Sequence, residues 1–222
     1  MRLTTVTMMA SEAATPPANK GFRALTHHVT ELFTHFLPKG YTLDGSGRVT
    51  VTCGPRGSEP QYMQALGTSN FFAENFDFKR FYGSSGEARD QMTLETLKAS
   101  LLSIARMHGD SPAVVEPIVE AARKVSDSGF QLMLPVKKIS KTCRERKFRI
   151  QVSRCLNRDS GEAWLAELFD PAGSKRDEKW VTDRTGSLDM REHFREAQFE
   201  GGTYKVFDRF DKVIFEWRTP EG

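Results

Sequence analysis

The chain has 222 residues, enough to bury a sizeable hydrophobic core, and its 38% hydrophobic and 27% charged residues exclude an intrinsically disordered protein. A net charge of +3 with both signs mixed does not by itself indicate nucleic-acid binding. No apolar run reaches the ~18 residues of a membrane helix, and the N-terminus makes a poor signal peptide. We therefore expect a cytoplasmic protein that binds no membrane and no cofactor.

The first third of the chain predicts a tail, a helix and two strands. Residues 1–20 are rich in Thr, Ala, Ser and Pro, which predicts a flexible tail before a single domain over residues 21–222. An apolar stripe at helical spacing predicts a helix from Phe22 to Leu37. Alternating apolar residues predict a half-buried strand from Arg48 to Cys53, and Gln61 to Leu66 is long enough to pair back as a second strand.

Asn70 to Tyr82 is the most aromatic stretch, with six aromatic residues among its thirteen. Its phenylalanines either pack the first segment onto the following helices or form an exposed anchor for a partner protein, because aromatic residues dominate interface hot spots. Interleaved charged residues show that one side faces water. We favour the buried interpretation, in which the stretch is a core hinge.

Two helices follow the aromatic stretch. Ser84-x-x-Glu87 matches a capping box, which predicts a helix that runs to about His108. Ser111 stands directly before a proline, as at a helix start, and predicts a second helix as far as Gly129. The short connection between them predicts an antiparallel helical hairpin.

Strand patterns dominate the rest of the chain, with one short helix predicted from Leu188 to Ala197. The strand segments are Phe130 to Val136 (a strand or a further short helix), Lys147 to Leu156, Glu162 to Asp170, Thr203 to Phe207 and Lys212 to Trp217. The predicted fold class is therefore α+β: a helical hairpin packed with a mostly antiparallel β-sheet, with strands concentrated in the C-terminal half.

A run of cations between Val136 and Arg149 is the strongest charge feature, and Glu145 is its only acidic residue. We interpret it as a partner-binding surface for an acidic protein, with nucleic-acid phosphates and a solvated strand edge as alternatives. Phe148 is the only aromatic residue in the run, whereas nucleic-acid modules usually supply several. The predicted binding residues are Lys137, Lys138, Lys141, Arg144, Arg146, Lys147 and Arg149.

Catalytic and metal-binding patterns are sparse. His28, Glu31 and His35 share one edge of the first helix and are weak metal-ligand candidates, but they do not form an H-E-x-x-H motif; the alternative is a solvated helix flank. No nucleophile elbow, P-loop, dinucleotide fingerprint or kinase motif is present. The three cysteines form no CxxC pair, which indicates reduced thiols, although a cysteine and a histidine can meet in the fold. We expect a non-enzymatic protein and assign no catalytic residue.

The order of these features resembles small bacterial immunity proteins, the cytoplasmic antidotes of polymorphic or contact-dependent toxins. The resemblance covers roughly residues 70–218. It rests on the aromatic segment Asn75 to Tyr82, the leucine-rich helix from Leu94 to Ala105, the helix end at Gly129-Phe130, the basic strand hairpin and the final strand Val213 to Trp217.

The resemblance implies that the chain binds a cognate protein toxin and blocks its active site. Antidotes of nuclease toxins are often acidic, whereas this chain is net basic. That departure favours a toxin with an acidic face. A nucleic-acid-associated accessory protein and an unrecognised enzyme are the alternative functions.

Overall fold

The computed structural model describes residues 1–14, 21–143, 147–182 and 194–219. The chain divides into two compact units, Met1–Gln131 and Leu132–Gly222, rather than forming the single domain expected from residue 21 onward. Each unit has its own sheets, and no strand pairing among the described residues crosses the division. The described residues contain four helices and twelve strands, which confirms the α+β class; strands occur throughout the chain, with many in its C-terminal half.

The first unit combines a mixed sheet with helices. Its elements are β1 (Thr5–Ala10), α1 (Phe22–Phe36), β2 (Arg48–Cys53), β3 (Tyr62–Ala65), β4 (Thr68–Ala73), α2 (Phe78–Gly83), α3 (Gly86–Met107) and α4 (Pro112–Asp127). The strand order is β1-β2-β4-β3; β1, β2 and β4 run parallel, and β3 is antiparallel to β4. Helix α1 connects β1 to β2 as a crossover, which parallel neighbouring strands require.

Strand β1 corrects the expectation of a flexible tail over residues 1–20. Val6 and Met8 are buried, and the strand pairs in parallel with β2 from Thr5 opposite Arg48 onward. Threonine is β-branched and favours strands, so the composition that suggested a tail also suits an edge strand. Residues 15–20 lie outside the described residues.

The helical hairpin is present as α3 and α4, and α1 packs against β1 and against both hairpin helices. The α3 cap lies one residue later than the predicted capping box. The Ser85 hydroxyl accepts a hydrogen bond from the Ala88 N–H at 3.3 Å, whereas the Ser84 hydroxyl donates to the Arg80 carbonyl at 2.7 Å. Ser84 therefore caps the C-terminal end of α2, because the last carbonyl groups of a helix lack partners within the helix.

The aromatic stretch joins α1 to the rest of the first unit. Phe22 of α1 meets the rings of Phe76, Phe78 and Phe81 at centroid distances of 5.2, 5.3 and 5.2 Å. Phe81 is fully buried, and Asp77 caps α2 by accepting a hydrogen bond from the Arg80 N–H. The buried interpretation of Asn70 to Tyr82 is confirmed, since these rings form a packed cluster.

The second unit consists of two antiparallel sheets. Its strands are β5 (Leu132–Pro135), β6 (Lys141–Thr142), β7 (Arg149–Asn157), β8 (Gly161–Phe169), β9 (Lys175–Trp180), β10 (Glu196–Glu200), β11 (Thr203–Phe207) and β12 (Val213–Arg218). One sheet has the order β5-β7-β8-β9, with β6 also paired to β7, and the other has the order β10-β11-β12. The sequence predicted a short helix from Leu188 to Ala197, but Glu196 and Ala197 belong to strand β10. Residues 188–193 lie outside the described residues.

The core of the second unit lies between the inner faces of its two sheets. Ile150, Val152 and Trp164 from the larger sheet share one buried cluster with Tyr204 and Trp217 from the smaller sheet. The buried Tyr204 hydroxyl donates a 2.6 Å hydrogen bond to the Ile139 carbonyl. This arrangement fixes the chain segment that carries the first lysines of the basic run.

Candidate partner-binding surface

The chain from residue 137 to residue 149, hereafter the basic hairpin, begins on a tightly held turn. The Val136 N–H donates to the Val152 carbonyl at 2.7 Å, and the Val152 N–H donates to the Ser140 hydroxyl at 2.9 Å. Ile139, between these anchors, is fully buried in the core. Lys137 and Lys138 are exposed on this turn, so a rigid backbone presents both ammonium groups to solvent.

The rest of the basic hairpin is formed by β6, its connection and the start of β7. The Cys143 N–H donates to the Phe148 carbonyl at 2.8 Å, and Lys141 pairs with Ile150. Lys141 is half-buried, whereas Lys147 and Arg149 are exposed. The Arg149 guanidinium lies 4.8 Å from the centre of the Phe169 ring, which holds it against the sheet face. The predicted residues Arg144 and Arg146 lie outside the described residues.

The described cations of the basic hairpin have no acidic partner among the residues that the structure describes. Within the described chain, none of its lysines forms an ion pair or a side-chain hydrogen bond, and Arg149 has only its ring contact. Other cations of the second unit behave differently: Lys175 pairs with Glu167, Arg176 with Asp170 and Lys205 with Glu216. The described part of the basic hairpin therefore keeps a positive field that no described carboxylate cancels by pairing.

An apolar groove of about 380 Å³ adjoins the first two lysines. The rings of Trp164 and Phe194 lie 5.0 Å apart, edge to face, and are almost fully buried in its floor. The groove is lined by Leu134, Pro135, Val136, Lys137, Lys138, Arg154, Trp164 and Phe194. The sequence did not reveal this groove, because its walls come from segments that only the packing of the two sheets brings together.

The three metal-ligand candidates do not converge. His28 and Glu31 are buried, which corrects the expectation of a solvated flank, while His35 is exposed and lies edge-on to Phe36. The His28 Nε2 lies 3.0 Å from Asp90 Oδ1 of α3, and both side chains are buried. Among the described residues, no group of three or more His, Cys, Asp or Glu side chains is placed to hold a metal ion.

The cysteines are buried thiols. Cys53, Cys143 and Cys155 are all free, and burial raises the pKa of Cys53 and of Cys155 above the ordinary thiol value. A raised pKa keeps the sulfur protonated at neutral pH, whereas a nucleophilic cysteine needs its thiolate form.

A polar cluster in the first unit was not predicted from the sequence. Asp44 Oδ2 accepts hydrogen bonds from the hydroxyls of Ser69 and Tyr62, and Oδ1 accepts from the Ser46 N–H at 2.9 Å. Burial by itself would raise the pKa of Asp44, but these hydrogen bonds outweigh it and hold the pKa below its ordinary value. The His108 Nε2 lies 3.0 Å from the Tyr62 hydroxyl. Because both carboxylate oxygens already accept hydrogen bonds, the cluster fastens the segment before β2 to the start of β4.

Comparisons of the chain with protein-family models, with curated protein sequences and with solved structures found no match. None of the described helices combines the length and the apolar character needed to cross a membrane. The choice of a candidate site therefore depends on geometry and charge, and both favour the basic hairpin with its adjoining groove.

Proposed function

We propose that the chain is a non-enzymatic binding module that holds an acidic partner protein on its basic hairpin. The observation that supports this proposal is the cluster of solvent-facing cations without acidic partners in the described second unit. Lysines and arginines balance aspartates and glutamates over residues 1–131, so the entire net charge of +3 belongs to residues 132–222. An uncancelled field of this kind attracts an oppositely charged surface and accelerates its association.

The partner in this proposal is a bacterial toxin that the chain neutralises in the cytoplasm. This step depends on the resemblance to immunity proteins described from the sequence, together with the basic surface, which suits a toxin with an acidic face. Binding at the toxin's active site or over its entrance would block substrate access without any chemistry by this chain. No catalytic residue is required of it.

Nucleic acid is the second candidate ligand, because the same cations suit phosphate groups. Base recognition usually adds exposed aromatic rings for stacking. In the basic hairpin, Phe148 is only partly exposed and packs against the core of the second unit. This packing favours the protein partner, since it leaves the described hairpin with cations but no stacking platform.

The proposal is tested by co-expressing the chain with the product of the neighbouring gene in its source genome and purifying the complex. We expect a 1:1 complex and protection of cells that express the partner. The double variant K137E/K138E should lower the affinity at least about tenfold, mainly through the association rate. R209E/K212E is the matched control, because it changes the charge equally on the turn between β11 and β12.

Two outcomes contradict the proposal. If both double variants weaken binding equally, the net charge of the chain controls the affinity, and the basic hairpin is not the binding site. If the chain binds duplex DNA or single-stranded RNA with an affinity that falls steeply with salt, and binds no protein partner, the nucleic-acid alternative is correct.

A further inference from the structure

The apolar groove beside Lys137 and Lys138 is open to solvent although its floor is made of core residues. Trp164 is 1% exposed and Phe194 is 3% exposed, so their rings are packed rigidly beneath the groove and offer little accessible surface of their own. The volume of about 380 Å³ lies at the lower end of the range for ligand pockets. A groove of this size suits one large side chain of a partner better than a drug-sized molecule.

The walls of the groove are held in place before any ligand arrives. Pro135 ends β5 opposite Ser153, and the ring of proline fixes its backbone. Val136 is tied to β7 through its N–H and, through its carbonyl, to Ser140. A site whose walls are already ordered loses little conformational entropy on binding.

The charge around the groove differs between its depth and its rim. Arg154 lines the groove but is buried, and its guanidinium forms an ion pair with the buried carboxylate of Glu162. Its charge is therefore matched inside the protein. Lys137 and Lys138 are exposed at the rim and have no described acidic partner, so the groove is apolar inside and positive at its edge.

We propose that this groove takes one large apolar side chain from an acidic segment of the partner protein, with carboxylates on both sides of that side chain contacting Lys137 and Lys138. This inference depends on the proposed function and adds the kind of segment that the partner must present. An apolar anchor in a preformed pocket, surrounded by complementary charges at the rim, is the usual composition of an interface hot spot.

The probe for this proposal is a short synthetic peptide with a central phenylalanine flanked by glutamates, and the readout is NMR of the tryptophan indole N–H signals. The chain has 3 tryptophans, which provide internal controls: Trp164 lies in the groove, Trp217 in the core and Trp180 on β9. We expect saturable shifts at Trp164 and none at Trp180. Replacing the central phenylalanine with serine should weaken binding about tenfold or more, because the buried apolar area is lost.

Two protein variants separate the contribution of the groove to peptide binding from the contribution of the lysines at its rim. L134W should fill the groove without changing the charge and should weaken the phenylalanine peptide to the affinity of the serine peptide. K137E/K138E should abolish the binding of both peptides, whereas R209E/K212E should leave both intact. Unchanged indole signals of Trp217 and Trp180 in each free variant show that the second unit is still folded.

The outcomes distinguish this proposal from the proposed function. If the serine peptide binds as tightly as the phenylalanine peptide and Trp164 does not shift, the groove is not used, although the basic hairpin still holds acidic ligands. If a peptide whose central phenylalanine is flanked by lysines binds as tightly as the glutamate-flanked peptide, the proposed contact between carboxylates and the two rim lysines is wrong. If no peptide binds, the groove proposal is wrong, and the proposed function is decided by the partner complex alone.

Discussion

The basic hairpin and strand β9 lie at opposite edges of the same sheet, and both are rich in cations. In β9, every residue is exposed, and Lys175 lies 3.3 Å from Glu167 and 3.0 Å from Glu178. Arg176 contacts the carboxylate of Asp170 at 2.6 Å. The lysines of the basic hairpin have no such partners among the described residues. Two edges with a similar proportion of cations thus present different fields to solvent.

This difference matters for binding more than for stability. Exposed ion pairs contribute little to the free energy of unfolding, so pairing in β9 mainly cancels its field. Charged side chains on an edge strand also hinder pairing with a strand of another molecule, which gives β9 a structural role. Unpaired cations, by contrast, attract an acidic partner from a distance. The number of cations at an edge is therefore a poorer indicator of a binding surface than their pairing.

The largest effect should come from Arg154, a buried cation of the second unit that pairs with Glu162. Arg154→Met removes one side of the buried ion pair with Glu162 and should lower the free energy of unfolding by about 3–5 kcal/mol, because breaking a buried ion pair from one side is strongly destabilising. Urea unfolding followed by tryptophan fluorescence measures this, since all 3 tryptophans lie in the second unit. The double variant R154M/E162L should recover much of the loss. A double variant as unstable as R154M would show that packing, not pairing, is responsible.

The next effect concerns the acid sensitivity of the β9 edge. The Ser174 N–H, followed by the Arg176 guanidinium, holds the pKa of Asp170 below its ordinary value. A carboxylate whose pKa is lower in the folded state stabilises the fold at neutral pH, and this contribution is lost as the pH falls below about 4. Asp170→Asn should therefore lower the urea midpoint at pH 7 and have a smaller effect at pH 3.

Asp177→Asn is the control for this acid sensitivity, because Asp177 lies on the same strand but forms no ion pair with a described cation. Its effect on the midpoint should be small at both pH values. An Asp170→Asn effect of equal size at pH 7 and pH 3 would mean that the charge of Asp170 does not stabilise the edge.

A smaller effect is expected at the connection within the basic hairpin. Lys147 has a φ angle of 56°, a left-handed conformation in which a side chain is strained and glycine is not. Lys147→Gly should raise the free energy of unfolding by up to about 1 kcal/mol, because the relieved strain exceeds the extra chain entropy of glycine. The same variant should weaken partner binding, since it removes one unpaired cation. Stronger binding by the variant would show that Lys147 does not contact the partner.

The smallest effect on stability is expected at the first two lysines. K137E/K138E should change the free energy of unfolding by no more than about 0.5 kcal/mol, because both side chains are exposed and unpaired in the described structure. Together with the binding loss expected for this variant, such a result would assign these lysines to recognition alone. A clear destabilisation in urea would instead give them a structural role, like that of the paired cations of β9.

Elements with a strong local period were predictable from the sequence. The helix predicted from Phe22 to Leu37 is observed as Phe22–Phe36, and the strand predicted from Arg48 to Cys53 has those same bounds. The α3–α4 hairpin was predictable from the capping residues and the apolar spacing of its helices. Strand β9 was not predicted, because all of its residues face solvent and no alternation of apolar and polar residues marks it.

Other features depend on partners far along the chain. The place of strand β1 at the edge of the sheet depends on parallel pairing with β2, which follows α1 in the chain. The contact between His28 and Asp90 and the hydrogen bonds around Asp44 join residues from different elements. Residues that meet only through tertiary packing leave no periodic signal between them.

The sequence by itself determined the α+β class, the main helices and the presence of a cation run between Val136 and Arg149. Only the tertiary structure decided which cations are neutralised and which are free to act. Pairing depends on the position of carboxylates on neighbouring strands, as for Lys175 and Glu167. The groove likewise exists because folding brings Trp164 of β8 and Phe194 together. The charge and the shape of a surface depend on residues that are neighbours in space, and these need not be neighbours in sequence.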